Sequence, residues 1–556
     1  MDSFLFIPKK IRKILIISMN LVFACILLLT CCSRKDESSN DYESSNDYGW
    51  IHPSSLSDNI SPDGTDVAMF GVAISMDNNE NAIILWRQKD DSGNYQIFMS
   101  EYRNGAWIHP SSLSDNISPD STDARDPEVL MDNNGNAVIV WQQKDDSGNY
   151  QIFMSEYRNG AWIHPSSLSD NISPDSADAS HPKVSMDNNG NAVIVWQQKD
   201  DIGNDQISMS EYRNGAWIHP NSLSDNISPD GWGAEGPEVS MDSNGNAIIV
   251  WQQKDNSDID RVFKSEYRNG AWIHPSSLSD SISPEGDNVG YVNLAMDENE
   301  NAIIVWVLHN TFSGGFIGDI FTSEYRNGSW NNPFCLYSPK DITGYYYLWG
   351  ADVNITMNNK GDAIVFSYLN GGFEGQDIII RSYQSGEWTN PRWIDSFYKG
   401  SLDTGKGYPC VAISNNGDAI IVWSGSDNII YRGGKSRLFK SEYRNEEWNH
   451  SSSAEDYFNY YQHDFNIWSY DVAIDNSGNT IIVWSQKDDK GNFQIFKSEY
   501  SNGEWTHPSP LSDNISPDNT DAIDPKISMD DNGNTIIVWR QIDDKGNDQI
   551  FMSYYR

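Results

Sequence analysis

HPKVSMDNNGNAVIVWQQKDDIGNDQISMSEYRNGAW, residues 181–217, contains four strand-like segments separated by turn signals. KVSMD forms segment A, NAVIVWQQ segment B and QISMSEYR segment C, and GAW opens segment D, which continues as IHPNSLS. DNNGN and RNGA place Asn and Gly where a tight hairpin requires positive φ, and the KDDIGN stretch does the same more loosely. Segment B is a continuous apolar run and does not alternate, so both of its faces must be covered.

From residue 49 onward this pattern recurs nine times. The equivalent tryptophans are Trp86, Trp141, Trp196, Trp251, Trp306, Trp423, Trp484 and Trp539, with Ser367 in the sixth copy, a period of 55 to 61 residues. Residues 89–120 repeat verbatim as 144–175. No helix-period segment follows residue 31, which removes helical arrays. Four short strands per copy, the second buried on both sides, predict an all-β fold, a single closed β-propeller of nine four-stranded blades. The chain ends carry the argument for closure. The first segment is a D, GWIHPSSLS from Gly49, and the last is a C, QIFMSYYR ending at Arg556. The N-terminal strand is therefore expected to complete the last blade and remove the exposed sheet edges.

The formal net charge is −41, which disfavours nucleic acid and anionic lipid surfaces as partners. The 21 Trp, 27 Tyr and 20 Phe residues suit aromatic-rich strands and argue against disorder. Lys9, Lys10, Arg12 and Lys13 precede an apolar run from Ile14 to Leu29 that ends in LLLTCCS, so residues 1–31 read as a secretory leader. The end of that run resembles a bacterial lipobox, with Cys31 or Cys32 as the lipidated residue. Residues 32–48 read as a flexible polar tether, and residues 49–556 as the propeller. The expected location is the cell envelope, lipid-anchored to a bacterial membrane at the outer membrane or cell surface, with the N-terminal lipid as the only membrane contact.

DPEVLMDNNGNAVIVWQQKDDSGNYQIFMSEYRNGAW, residues 126–162, resembles the repeats of secreted bacterial β-propellers of the broad sialidase-like group. The resemblance covers residues 49–556 and implies a propeller fold. It departs from the Asp-box S-x-D-x-G-x-x-W and lacks the F/Y-R-I-P segment of sialidases, so it implies no sialidase chemistry.

His52, His109, His164, His219, His274 and His507 recur beside Pro in segment D, too far apart in a ring to share a metal ion, and are expected to pack. Cys335 and Cys410 lie in different copies and are expected to be two unpaired, buried thiols. No G-x-S-x-G, HExxH, P-loop or dinucleotide motif is present, and no enzyme activity and no cofactor are expected. Calcium at a turn would draw on the overall charge more than on any motif.

Copies five to eight carry insertions between B and C and between D and A, connections that emerge on one face of a propeller. They bring Tyr345, Tyr346, Trp349, Phe397, Tyr398, Tyr457, Tyr460, Tyr461, His463 and Trp468 to one sector. The expected function is a surface-displayed binding or adhesion module for a glycan or a protein. The alternatives are a glycan-processing hydrolase, with Asp456, His463 and Asp464 as its candidates, and a structural scaffold.

Overall fold

A B strand such as Ala137–Lys144, whose residues Ala137–Gln143 are all buried, is covered on both sides in the folded chain. A computed structural model describes residues 49–285, 288–312, 315–338, 351–370, 376–394, 409–426, 436–450 and 467–556. It places those strands in nine antiparallel sheets of order A-B-C-D. In blade 2 these are Ala124–Met131, Ala137–Lys144, Tyr150–Arg158 and Ala161–Ile163. In blades 5 and 6 a further segment, Phe334–Tyr337 or Arg392–Trp393, also pairs with strand C.

The nine sheets close into a ring, as the chain ends predicted. Trp50–Ile51 pairs with Asp548–Tyr555 and supplies the missing D strand of blade 9. Among the described residues there are nine hydrophobic clusters, one for each seam between neighbouring blades. The cluster joining Ile536 and Val538 of blade 9 to Ile84 and Trp86 of blade 1 completes the circle.

Turn chemistry follows the sequence closely. The C–D hairpins are two-residue turns with both central residues at positive φ, as at Asn159 (54°) and Gly160 (82°), the geometry that Asn-Gly provides. In the A–B hairpins the Asp132 carboxylate accepts the backbone N–H groups of Asn134 and Asn136 and the side-chain amide of Asn136. Blade 6 exchanges the two residues: Asn358 accepts from Lys360 and Asp362, and its amide donates to the Asp362 carboxylate at 3.2 Å.

The motif EYRNGAW is the outer clamp of each seam. Arg158 pairs with Glu156 at 2.8 Å, stacks over Tyr212 of the next blade with its guanidinium carbon 3.6 Å from the ring centroid, and donates to Gly190 O. Glu156 in turn accepts from the Trp217 indole of that blade at 2.8 Å. The same stacking recurs from Arg103 to Tyr157, Arg213 to Tyr267, Arg268 to Tyr325, Arg326 to Tyr383 and Arg444 to Tyr500. Arg556, the last residue, makes it across the closing seam onto Tyr102 at 3.2 Å.

The sixth copy has no core tryptophan, and the space is occupied from the neighbouring blade. Tyr337 of blade 5 is buried there, and its hydroxyl donates to Ser367 Oγ at 2.8 Å. Cys335 is exposed and Cys410 half-buried, with no disulfide between them, so the expectation of two buried thiols is corrected for Cys335. Cys335 sits on the short segment laid along strand C of blade 5, at the outer side of the sheet.

Three A–B or C–D turns place glutamate where the other copies have glycine: Glu80 (φ 68°), Glu300 (69°) and Glu446 (65°). Glu80 and Glu300 recover interaction energy through ion pairs with the clamp residues Arg556 and Arg268. Glu446 has no such pair among the described residues and bears the left-handed backbone without compensation. Replacing Glu446 by Gly is expected to stabilise the protein by about 1 kcal/mol. Glu80→Gly should gain less, because Arg556 loses its partner. Denaturant midpoints of the two variants check this ranking.

Candidate functional site

The B–C and D–A connections share one face of the ring. The predicted residues Tyr345, Tyr346, Trp349, Phe397, Tyr398, Tyr457, Tyr460, Tyr461 and His463 lie outside the described residues, as do Asp456, Asp464, Cys31 and Cys32. Trp468 falls in the A strand Ile467–Ile474 of blade 8, and its side chain lies outside the described set.

What the structure describes on this face is built at the start of the A strands. In blade 2, Arg125 pairs with Gln142 and Glu128 with Val140, so Asp126 and Pro127 together oppose the single residue Trp141. The same two-against-one bulge occurs at His181–Pro182, Gly236–Pro237, Tyr291–Val292 and Asp524–Pro525. Its first residue is left-handed each time: Asp126 at 54°, His181 at 54°, Gly236 at 60°, Tyr291 at 48° and Asp524 at 57°. A bulky residue in that region is strained, and bulges of this kind re-aim side chains at functional edges. Here the bulge turns Asp126, His181 and Tyr291 out to solvent.

Between blades 4 and 5 the bulged segments border an open cavity of about 480 Å³. Glu235, Glu238, Gln252, Asp260, Asn288 and His309 supply its polar lining, and Val289, Tyr291 and Val292 its apolar lining. His309 is the eighth residue of strand B of blade 5, Ala302–Phe312, at the place that Lys254 takes in Ala247–Lys254 of blade 4. A β-carbon on Gly290 would lie 2.6 Å from His309 Nε2, so the imidazole would have to shift to admit any larger residue there. Burial holds the His309 pKa below its ordinary value, against the opposing charge of Asp260. Burial also raises the carboxyls of Glu238, despite Lys183 nearby, and of Asp260, which accepts a hydrogen bond from Gln252. Tyr291, 58% exposed, lines the cavity from the bulge of the A strand Asn288–Met296, and Trp232, 69% exposed, lies in the connection that leads into the A strand Glu235–Met241. Phe70, 75% exposed, occupies the corresponding connection into blade 1.

Four residues before the A–B turn, each A strand contributes one side chain to a polar belt. Lys183 bridges Glu128, at 2.6 Å, and the charge of Glu238. Asn293 donates to Asn354 at 3.1 Å. Cys410 and Lys526 flank Asp471, with Lys526 at 3.8 Å, and burial pushes the Cys410 thiol up to about 12. Ala73 is the apolar member in blade 1. Lys183 thus serves a carboxylate on either side, and Glu238 is the belt member that also lines the cavity.

The repeated histidines pack, as expected. His164 stacks on Trp162 with centroids 5.3 Å apart, and its Nδ1 lies 2.9 Å from Ser155 Oγ. Among the described residues no group of three or more His, Cys, Asp or Glu side chains is placed to hold a metal ion.

Sequence reasoning missed Phe70, Trp232, Tyr291 and the cavity. The signal lay inside the near-identical copies, whose connections into strand A differ: STDARDPE, SADASHPK and GWGAEGPE in blades 2, 3 and 4. Variation within otherwise repeated sequence marked the face as well as the insertions did.

No protein-family profile matches the chain, and no curated protein matches it. Solved structures similar to it include a thermostable family-43 glycoside hydrolase, with 13% identity over 50% of this chain and 95% of that one and a TM-score of 0.30. A polysaccharide lyase of an ulvan lyase family is 9% identical over 79% and 94%, with a TM-score of 0.37. A Hadza microbial sialidase is 12% identical over 62% and 74%, with a TM-score of 0.31. These likenesses say nothing about what this chain binds.

Eight imidazoles, His52, His109, His164, His219, His274, His309, His450 and His507, are held below the ordinary histidine range, with burial the largest cause in each and His52 lowered to about 4. Unfolded, they take up protons near pH 6.5 while the folded protein stays neutral at these sites, so stability is present above that pH and is lost as the pH falls through it. The denaturant midpoint is expected to fall between pH 7 and pH 5.5. A His109→Asn, His164→Asn, His219→Asn triple variant should show a shallower fall.

Proposed function

We propose that this protein is a non-catalytic, envelope-anchored binding module that takes a glycan on the face formed by the B–C and D–A connections, with the cavity between blades 4 and 5 as its centre. The observation that carries this reading is the pairing of exposed aromatic side chains with a concave polar site. Tyr291 presents an exposed ring in the cavity, Trp232 another three residues before Glu235, and Glu235, Glu238, Gln252, Asp260 and Asn288 offer hydrogen-bonding groups to hydroxyls. Among the described residues no Lys or Arg lines the cavity, Lys254 lying beside its carboxylates Glu235 and Asp260, and with the net charge of −41 this favours a neutral ligand over a polyanionic one. The Tyr291 hydroxyl is held by the Asp352 carboxylate of the next blade, whose charge raises its pKa, and this fixes the exposed ring in place. The leader, the lipid on Cys31 or Cys32 and the tether of residues 32–48 belong to the same proposal and would hold the ring off a membrane.

The test is binding of residues 49–556 to an array of neutral oligosaccharides, beside a Trp232→Ala, Tyr291→Ala double variant. The parent is expected to bind a defined subset, and the variant to lose at least about tenfold in affinity, since each stacking contact is worth about 0.5–1.5 kcal/mol beyond its buried area. Equal binding by both would move the site to the loops of blades 5–8. Binding of proteins and of no sugar would overturn the glycan reading.

The raised carboxyls of Glu238 and Asp260 favour one second reading, a hydrolase using them as acid and base. Release of reducing ends by the parent, abolished by Glu238→Gln, would replace the binding reading.

A further inference from the structure

The clamp that crosses the ring's seams is complete at six of them, partial at two and missing at one. Between blades 8 and 9, Glu499 is present but Ser501 replaces arginine; between blades 9 and 1, Arg556 is present but Tyr554 replaces glutamate. Both partial seams have other bonds. Lys497 lies 4.4 Å from the Trp50 ring centroid, and Asp524 N donates to Ser469 Oγ at 3.1 Å across the first. Arg556 stacks on Tyr102, and Asn78 bonds Asp531 across the second.

Between blades 6 and 7 the clamp positions hold Ser382 and Gln384. Their place is fixed by the pairing of Tyr383 with Trp388, which matches that of Tyr102 with Trp107 in blade 1. Neither side chain can supply the ion pair or the guanidinium stack, and Ser382 Oγ is buried with no hydrogen-bond partner. The receiving rings of blade 7, Tyr443 and Trp448, remain in place at 5.4 Å. What crosses this seam among the described residues is its hydrophobic cluster and two hydrogen bonds between A–B turns, Asn358 Nδ2 to Ser414 O and Asn359 N to Asn415 Oδ1. Both bonds lie at one face of the ring; at the outer edge, among the described residues, no hydrogen bond crosses, and Arg392 faces His450 as a charge that disfavours its protonation.

We propose that the ring opens reversibly at the seam between blades 6 and 7 before any other, pivoting on the A–B turns and parting at the rim. A closed ring with one unclamped seam admits water, and any ligand wedge, there first. The device is independent of what the loop face binds.

Hydrogen exchange of the folded residues 49–556 tests it. The B and C strands flanking the seam, Ala363–Asn370, Gln376–Gln384, Ala419–Ser426 and Ser436–Arg444, are expected to exchange about tenfold faster than their counterparts in blades 2 and 3, the effect of one missing charged stack and its hydrogen bond. A Ser382→Glu, Gln384→Arg double variant, which grafts the clamp, should slow them, and Glu156→Ser, Arg158→Gln should create a second fast seam between blades 2 and 3. Fastest exchange elsewhere would overturn the proposal. So would a folded grafted variant with unchanged rates at this seam.

Discussion

Two-sided burial of the B strands is the constraint from which the ring follows. Ala137–Trp141 is fully buried, and its odd and even residues enter the clusters of two different seams. Burying one large apolar side chain is worth about 1.5–3 kcal/mol, and each seam buries several. A single Arg–Tyr stack contributes about 0.5–2 kcal/mol. Hydrophobic burial therefore decides that blades must pack on both sides, and a finite set of sheets can satisfy that without leaving an end only by closing. The clamps contribute a defined angle and order between neighbours, because the fork of Arg158 reaches a ring, a carbonyl and a carboxylate at once.

Much of this was legible because repetition amplifies weak signals. One NAVIVW run could be a buried helix or strand, but nine of them at regular spacing, each between Asn-Gly turns, admit few architectures. The orphan D segment at Gly49 and the unfinished blade at Arg556 located the closing seam to the strand. The candidate site was less legible, for a physical reason. A bulge depends on how a strand start meets the tryptophan opposite it, and residue type marks this only through the proline that follows Asp126, His181, Gly236 and Asp524. Tyr291, followed by Val292, has no such marker. The position of Cys335 was misjudged for a related reason, because the segment that holds it is an addition to the repeat and lies outside the four-strand pattern.

Near-identical blades face a problem of order that the polar belt addresses. Blades 2, 3 and 4 share almost all of their sequence, yet their belt residues alternate in sign as Glu128, Lys183 and Glu238. Like charges at adjacent positions in a half-buried belt would repel, whereas this alternation lets one lysine serve two carboxylates. Asp471 and Lys526 repeat the arrangement across the seam of blades 8 and 9. Small differences among the copies thus act at the seams, where they distinguish one neighbour from another.

A symmetric scaffold acquires a distinct site only where its symmetry is released, and the release here has a specific atomic form. In most blades the core tryptophan is tied to a glutamine two residues later: Trp141 Nε1 donates to Gln143 Oε1 at 3.1 Å, and Gln143 Nε2 donates to Pro119 O at 2.6 Å. That chain fixes the D–A connection to the strand core. In blades 5, 6 and 7 the glutamine is replaced by Leu308, Leu369 and Gly425, and the Trp306 and Trp423 indoles are buried without a hydrogen-bond partner. An unpaired buried N–H costs about 1–3 kcal/mol, so its presence in two blades needs a compensating reason. Loss of the glutamine and length of the D–A connection do not coincide: the connection into blade 5 keeps the length it has in blades 2–4, whereas those into blades 1 and 8 are longer with Gln88 and Gln486 still bonded to the tryptophan. The connections therefore vary independently of that tie, and the face diverges while the B strands go on supplying the seam clusters and the ring stays closed.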